Sequence, residues 1–508
     1  MRRLQTVRRK GRAMRKAGVL LPIFSLPGKY GIGTFGREAY HFAELLKKAG
    51  QAYWQILPLG PTGYGDSPYQ SFSTFAGNPY LIDLDAFPEE ILRKKEKEAC
   101  DFGSCPGRID YGKLSEARLP LLYRAYQVEN YLGLEKNYPD FSAFCSEQAD
   151  WLEDYALFMA LKELHGGAPW YEWEKGLREH EESVLRPYRE QLGDRTRFYC
   201  WLQYHFRKQQ HELKEYVNGL GIKIIGDLPI YVALDSADVW ANPKLFQMDE
   251  ERRPRCVAGV PPDAFSEEGQ LWGNPVYDWD YHRANGFDWW FRRIQAAFDT
   301  VDVLRIDHFR GFDAFYCVPY GDATAENGVW QKGPGMEFFR ALKERYGECP
   351  IIAEDLGFLT DSVRQLLSDS GYPGMKVLEF AFDSLDDSDY LPHHWQKNCV
   401  AYTGTHDNQT LSAWFDELPK KSWKKAVDYL GLCGREREEW NEYAIRASFA
   451  SAADTVIVPF QDWKGLGAEA RVNHPSTLGG NWSWRMERGM FDAALAKKMA
   501  HITALFGR

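Results

Sequence analysis

Eight short apolar runs, rich in β-branched or aromatic residues and each closing on polar or glycine residues, punctuate the chain at 19–24, 52–59, 223–232, 301–309, 350–357, 375–382, 399–407 and 454–461. Runs of this length bounded by turn-forming residues read as buried strands. Amphipathic helical stretches lie between most of them. Ala39, Phe42, Ala43, Leu46 and Ala49 follow the first run at helical spacing until Gly50 stops them, and Met336 to Tyr346 repeats the pattern after the fourth. Eight alternating strand and helix units predict an α/β chain whose parallel sheet closes as a (β/α)8 TIM barrel. An open, doubly wound sheet is the alternative, and Gly31 to Gly36 does match G-x-G-x-x-G. Position 54, where a ribose-binding acid would stand, is Trp54, so the glycines read as a loop bend.

The connection between the second and third strands spans about 160 residues, far more than an ordinary βα loop. Residues 88–200 are charged and helical in pattern, with Leu157, Leu161 and Leu164 as one example, and predict a mostly helical subdomain inserted beside the barrel mouth. The 508 residues accommodate it, since a plain barrel needs roughly 250. Residues 1–17 read as a basic, disordered extension, with translation starting at Met1 or at Met14. Residues 18–508 read as one catalytic barrel interrupted by 88–200 and by an active-site loop region at 240–280.

A net charge of -10 argues against a nucleic-acid partner, whose binding rests on neutralised phosphates. No apolar run approaches the roughly 18 residues of a membrane span. Nine cysteines without a C-x-x-C pair fit a reduced, cytoplasmic setting better than a disulfide framework. Aromatic residues make up 15% of the chain, and flat faces with polar edges suit sugar rings as well as cores.

In a (β/α)8 barrel the catalytic groups come from the C-terminal ends of several strands. The fourth run carries Arg305 and Asp307, which alternation puts on one inward face. An arginine so close lowers the carboxyl pKa and keeps it ionised, as a nucleophile requires, although a structural ion pair at the rim would look the same. The fifth run delivers Glu354 and Asp355, and the seventh ends Thr405-His406-Asp407-Asn408. Three strands thus present carboxylates at one rim, and two carboxyl groups of opposite protonation can flank a glycosidic bond. Asp307-His308 and His406-Asp407 could instead ligate a metal. No H-x-H, H-x-x-x-H or H-E-x-x-H spacing supports that, and Arg305 and Arg310 bring positive charge where a cation would sit. No metal and no cofactor are expected.

At these residues the chain resembles the amylomaltases, the 4-α-glucanotransferases or disproportionating enzymes of glycoside hydrolase family 77 in the α-amylase clan. The likeness runs from about residue 18 through Ser25-Leu26-Pro27, Leu57 to Pro79, Gly226 to Val232, Gly259 to Pro275, RIDHFRG, AEDLG, GTHDNQT, and Arg471-Val472-Asn473 with Asn481-Trp482. Val472, His474 and Ser476 depart from the family pattern. The resemblance implies transfer of α-1,4-glucan segments between maltooligosaccharides or starch-like donors and a sugar 4-hydroxyl, by a retaining double displacement. Asp307 would be the nucleophile, Glu354 the acid/base and Asp407 a stabiliser of the transition state. Arg305, His308 and His406 would line the subsite around the scissile bond, and Tyr69, Ser67, Asp227, Asp263, Gln270, Trp272 and Asn274 would bind sugar in donor or acceptor subsites. The segment Gly259 to Pro275, with Phe265 and Trp272, would cover the cleft and disfavour water. A monomer or weak homo-oligomer is expected. The competing readings are an α-glucan hydrolase or branching enzyme of the same clan, and a non-catalytic glucan-binding scaffold.

Overall fold

The computed structural model of the chain describes residues 15–63, 65–102, 107–262, 267–357, 359–383, 385–477 and 479–508. Twelve strands occur among these residues: β1 (Lys16–Leu20), β2 (Tyr53–Gln55), β3 (Lys223–Leu228), β4 (Cys256–Val260), β5 (Gln270–Pro275), β6 (Val303–Ile306), β7 (Ala314–Pro319), β8 (Val329–Lys332), β9 (Ile351–Ala353), β10 (Gly374–Val377), β11 (Cys399–Tyr402) and β12 (Thr455–Pro459). Eight of them form one parallel sheet in the order β10-β11-β12-β1-β2-β3-β6-β9. The two ends of that row meet where the Ala353 amide donates to the Pro373 carbonyl at 2.9 Å and the Met375 amide donates to Asp355 Oδ1 at 2.6 Å. The sheet is the expected TIM barrel, and each of its strands overlaps one of the eight apolar runs.

Strand alternation fills the barrel. Leu20, Ile225, Ile352, Met375, Val377, Val400, Tyr402 and Ile457 pack as one buried cluster, the layered interior that a barrel of this size requires. The register sets Asp227 of β3 opposite Arg305 of β6, and Arg305 opposite Ile352 of β9. A polar layer therefore caps the apolar ones at the C-terminal end. β1 begins at Lys16, so the boundary at residue 17 is corrected: Lys16 and Ala17 are strand residues paired with Thr455 and Val456. Residues 1–14 of the basic extension lie outside the described residues. The Gly31 to Gly36 stretch leads into the helix Arg37–Lys48, whose N-cap is Gly36. A side chain at Gly33 would start 2.0 Å from the Ile23 carbonyl oxygen, so packing accounts for that glycine.

Between β2 and β3 run the helices Tyr111–Leu132, Ala149–Leu164 and Gly193–Gly219 with shorter ones. Their hub is Glu129, 1% exposed, whose Oε1 accepts from the Tyr138 hydroxyl at 2.7 Å and whose Oε2 accepts from Trp201 Nε1 at 2.7 Å and faces His205 Nε2 at 3.3 Å. Burial opposes ionisation there, yet these partners outweigh it and hold the carboxyl below its ordinary value. The long helix Gly193–Gly219 returns to the barrel, where Gln210 Nε2 donates to the Thr300 carbonyl at 2.6 Å.

The region 240–280, expected to be loop, carries β4 and β5, which join β7 and β8 in an antiparallel sheet of order β5-β4-β7-β8. Only the connection 263–266, with Asp263 and Phe265, lies outside the described residues there. Cys256 of β4 and Cys317 of β7 are disulfide-bonded, their Cα atoms 5.6 Å apart. The reading of the cysteines as free thiols is corrected for this pair, which a separation of 61 residues hid from any spacing argument. No described helix is long and apolar enough to cross a membrane.

Glu129→Ala removes one partner of a buried charged network, and urea unfolding is expected to show a loss of about 3 kcal/mol at neutral pH. Because the folded-state carboxyl is depressed, its contribution is present above the ordinary Glu pKa and is lost as pH falls through the folded value. The gap between variant and parent should shrink in acid; a constant gap would contradict the ionised hub.

Candidate active site

Asp307 follows the last residue of β6, and its amide donates to the Leu228 carbonyl at 3.0 Å, so the turn is tied to the end of β3. Its Oδ1 lies 3.0 Å from Arg305 Nη2, and its side chain is 31% exposed. Arg305 is itself sunk in the barrel, 4% exposed, and its Nη1 meets both oxygens of Asp227 at 2.7 Å. Burial works against the guanidinium charge, but Asp227 and then Asp307 outweigh it and keep Arg305 above its ordinary value.

Glu354 follows β9 and receives two backbone N–H groups, His308 on Oε2 and Leu356 on Oε1, each at 2.7 Å. His308 sits at φ 52°, in the left-handed region that costs a β-carbon residue energy. That strained turn aims its N–H from the residue after Asp307 straight at Glu354, and so sets the two carboxyl groups relative to each other. Asp355 faces the barrel seam at Met375. The two adjacent acids are thereby separated into one cleft residue and one structural residue.

Asp407 comes from the turn after β11. Its Oδ1 accepts from Asn473 Nδ2 at 2.7 Å, its carbonyl accepts from Arg471 Nη2 at 2.8 Å, and its Oδ2 lies 3.3 Å from His406 Nε2. Tyr69 donates to Asp227 Oδ2 at 2.8 Å, and its oxygen lies 2.9 Å from His406 Nε2. The phenol proton being committed to Asp227, His406 Nε2 carries the proton that reaches Tyr69. Tyr69 stacks on His406 at 5.2 Å, with Trp482 tilted against both. Trp272 and His308 meet edge to face, their ring centroids 4.8 Å apart, and Tyr231 approaches Trp272 at 6.2 Å. Two aromatic groups therefore touch the acid-bearing turns, one through His406 and one through His308.

The electrostatics correct one expectation. Desolvation raises the Asp307 carboxyl well above the ordinary Asp range; Arg305 pulls it down, and the Asp227, Glu354 and Asp407 charges push it up again. Arg305 alone does not hold Asp307 ionised, because Asp227 already claims most of that cation. Glu354 is raised as well, by burial first, with Arg305 and its two backbone donors opposing. Two raised, interacting carboxyl groups titrate as a pair. Burial and then Arg310 push His308 down to about 3, and burial lowers His406, so both imidazoles are neutral hydrogen-bonding groups.

Asp307, Glu354, Asp407, Arg305, His308, His406, Tyr69 and Trp272 are linked to one another at this end of the barrel. Four others bond within the protein. Asp227 is buried with a fully enclosed side chain and braces Arg305 and Tyr69. Asn274, 5% exposed, donates to the Val232 carbonyl at 2.8 Å and accepts from Gln70, a strut under the hairpin. The Ser67 hydroxyl accepts from the Tyr69 amide, shaping that turn, and Gln270 accepts from Trp272 Nε1 at 3.1 Å. Asp263 lies outside the described residues. Sequence reasoning gave no role to Arg471 and Asn473, which hold Asp407, nor to Trp482; they stood in a quoted motif without a function. It also passed over Asp462, 1% exposed, which accepts from the Thr403 hydroxyl at 2.6 Å and from the Leu411 amide at 2.8 Å. These are the two ends of the segment that carries His406 and Asp407. Burial pushes Asp462 up to about 6, opposed by those two donors. Among the described residues, the one group of three metal-ligating side chains lies elsewhere, at Asp387, His393 and His394.

A family profile described as 4-alpha-glucanotransferase matches residues 21–491. A 4-alpha-glucanotransferase of Clostridium butyricum is 49% identical over 96% of this chain and 99% of its own length, and one of Thermus thermophilus is 47% identical over 94% and 95%. The solved structure of an amylomaltase from Streptococcus agalactiae in complex with acarbose superposes with a TM-score of 0.94 at 43% identity, covering 97% of this chain and 99% of that one. An amylomaltase from Corynebacterium glutamicum, 18% identical, shares the fold with a TM-score of 0.78 over 97% of this chain and 75% of its own.

The clasp at Asp462 has a measurable consequence. Asp462→Ala frees both ends of the Asp407 segment, and kcat should fall on the order of 10²-fold, the scale of a small misplacement in an active site. Asp462→Asn, which can still accept one of the two bonds, should lose less. An unchanged kcat in the folded alanine variant, checked by circular dichroism, would show that the clasp does not position Asp407.

Proposed function

Because the chain belongs to the 4-alpha-glucanotransferase family, we propose that Asp307, Glu354 and Asp407 carry the transfer of α-1,4-glucan segments by a retaining double displacement. Glu354 gives its proton to the glycosidic oxygen while Asp307 attacks the anomeric carbon, forming a covalent glycosyl-enzyme. Glu354, now ionised, takes the proton of an incoming sugar 4-hydroxyl, which attacks the same carbon and displaces Asp307. Asp407 accepts hydrogen bonds from sugar hydroxyls as positive charge builds on the ring. The observation that carries this reading is the His308 turn, whose backbone N–H bonds Glu354 next to an Asp307 braced by Arg305. In the filled cleft the developing oxocarbenium charge favours the ionised nucleophile, so the proton belongs on Glu354.

Transfer in preference to hydrolysis demands a cleft that admits a sugar hydroxyl and disfavours water. The hairpin of β4 and β5 is suited to that task, with Trp272 against His308 beside the nucleophile. The insertion at 88–200 is proposed to brace the barrel mouth, a role supported by its contacts with the segment after β3, where Trp170 Nε1 donates to the Leu234 carbonyl and Trp240 Nε1 to the Leu177 carbonyl, each at 2.7 Å. A single chain is proposed as the active unit, since one chain supplies every site residue named above. A cytoplasmic setting is proposed on the six free cysteines among the described residues, the Cys256–Cys317 pair being the exception.

Incubation with maltotriose should give glucose together with longer oligosaccharides; products that are only shorter would indicate a hydrolase. Asp307→Ala should abolish turnover and trapping of a glycosyl-enzyme from an activated donor, whereas Glu354→Gln should still allow slow trapping. Trapping that survives in Asp307→Ala overturns the nucleophile assignment.

The raised pair predicts a bell-shaped kcat/KM profile whose acid limb lies above the ordinary Asp range. Below it both carboxyl groups are protonated and no nucleophile exists; above the basic limb both are ionised and no acid exists. A profile still flat at about pH 9 would speak against Glu354 as proton donor. For the cover, Trp272→Ala should raise the ratio of hydrolysis to transfer, and an unchanged ratio removes Trp272 from water exclusion.

A further inference from the structure

Two histidines and an aspartate that the reaction does not use meet on the surface of the segment between β10 and β11. His394 Nε2 lies 2.7 Å from Asp387 Oδ1, and His393 Nε2 lies 3.8 Å from the same oxygen. One ligand atom from each residue falls within 4.8 Å of the other two, and the imidazole centroids are 4.0 Å apart. A tetrahedral zinc site with bonds of roughly 2.0 to 2.2 Å sets neighbouring ligand atoms about 3.3 Å apart. The separations here straddle that value, and the side chains are exposed enough to close the difference by small rotations.

Two further features distinguish this group from a chance surface contact. The first concerns the second nitrogen of His393. Its Nδ1 lies 2.8 Å from the Tyr429 hydroxyl oxygen, which also accepts the His393 backbone N–H at 3.3 Å. With Nδ1–H donating to Tyr429, the lone pair of Nε2 is left on the side of Asp387. Metal-binding histidines are oriented in this way by an acceptor on the far nitrogen. The second is the support beneath the ligands. The Leu391 amide donates to the Ser388 carbonyl and the His394 amide to the Leu391 carbonyl, each at 2.9 Å, and Trp395 Nε1 donates to the Tyr390 carbonyl at 2.8 Å. Leu391 and Trp395, each 3% exposed, anchor the turn on both sides of the histidine pair. Lys425 Nζ holds the carbonyl of Asp386 at 2.6 Å, next to the third ligand.

We propose that Asp387, His393 and His394 form a binding site for a late first-row divalent cation such as zinc, with Asp387 Oδ1 and the two Nε2 atoms as ligands and water completing the shell. Two imidazoles and one carboxylate select such ions over magnesium or calcium, which require oxygen donors throughout. The ion would join the segment that follows β10 to the turn that precedes β11. It takes no part in the glycosyl transfer, whose acids lie on other turns.

Calorimetric titration of the chelator-treated full-length chain with zinc chloride tests the site. The parent chain should take up one more equivalent than the His393→Ala/His394→Ala variant, Asp387→Ala should weaken that equivalent at least tenfold, and Tyr429→Phe should weaken it about tenfold, the effect of losing an orienting partner. Magnesium chloride should give no heat, and zinc should raise the melting temperature of the parent but not of the double variant. Unchanged disproportionation of maltotriose by the double variant would certify its fold. Equal zinc stoichiometry in parent and double variant overturns the proposal, including the case in which both bind zinc at other histidines or at the exposed Cys433.

Discussion

A guanidinium inside a barrel must be paired, and the upper layer of this molecule is organised around meeting that demand. Breaking a buried pair by removing one partner costs several kcal/mol, about 3 to 5, because a charge is left without compensation. Arg305 satisfies itself with Asp227 across the β3–β6 register and with Asp307 two residues along its own chain. Asp227 then needs a donor for its remaining capacity and finds Tyr69; the Tyr69 oxygen accepts from His406; and His406 reaches Asp407. One positive charge thus orders groups from three strand ends and the turn after β2. The inner links are hydrogen bonds between enclosed side chains, unfavourable to leave unmade, and ion pairs extend them outward to Asp307 and Asp407.

The same arrangement sets the protonation of the site. A single cation divided between two carboxylates is too little to ionise a third beside it, and desolvation adds to the deficit. A pairwise reading of Arg305 and Asp307 has the right sign for one interaction and the wrong sum. What decides the matter is the company Arg305 keeps on β3, about eighty positions earlier in the chain, and no local pattern reports it. The outcome is two carboxyl groups, Asp307 and Glu354, both raised above their ordinary range, the setting in which the proposed acid and nucleophile can be told apart by protonation.

How much of the fold was legible follows from where burial acts. Barrel strands are buried on both faces, so their apolar runs stand out, and all eight appear at the right places. The runs overshoot at their C-terminal ends because buried turns are as apolar as strands: Leu21, Ile23 and Phe24 are core residues beyond the end of β1. The start of β1 is missed for the opposite reason, since it contains Lys16 and Gly18. A side chain at Gly18 would meet Tyr53 Cβ at 2.6 Å, so the closest part of the strand pair carries no hydrophobic signal at all. Arg305 and Asp307 were readable from alternation alone. Glu354 and Asp355 were not separable that way, because the choice turns on β9 ending at Ala353 and on the barrel seam needing an acceptor for the Met375 amide. Asp462 was invisible for a third reason: its work is to hold two ends of another segment, and only folding brings them together.

His308 shows why strain and sequence specificity meet at this site. A left-handed backbone at a residue with a β-carbon costs about 1 to 3 kcal/mol, and a glycine would relieve it. Glycine would also delete the imidazole that Trp272 packs against and would loosen a turn whose N–H must point at Glu354. The bond from that N–H to the buried Glu354 carboxyl, which would be unfavourable to leave unmade there, offsets part of the strain locally. The turn is therefore held by the acid it positions, and the acid by the turn. Such mutual dependence fixes Asp307 and Glu354 relative to each other more firmly than either strand end could alone, which is the geometry the proposed division of labour between the two carboxyl groups needs.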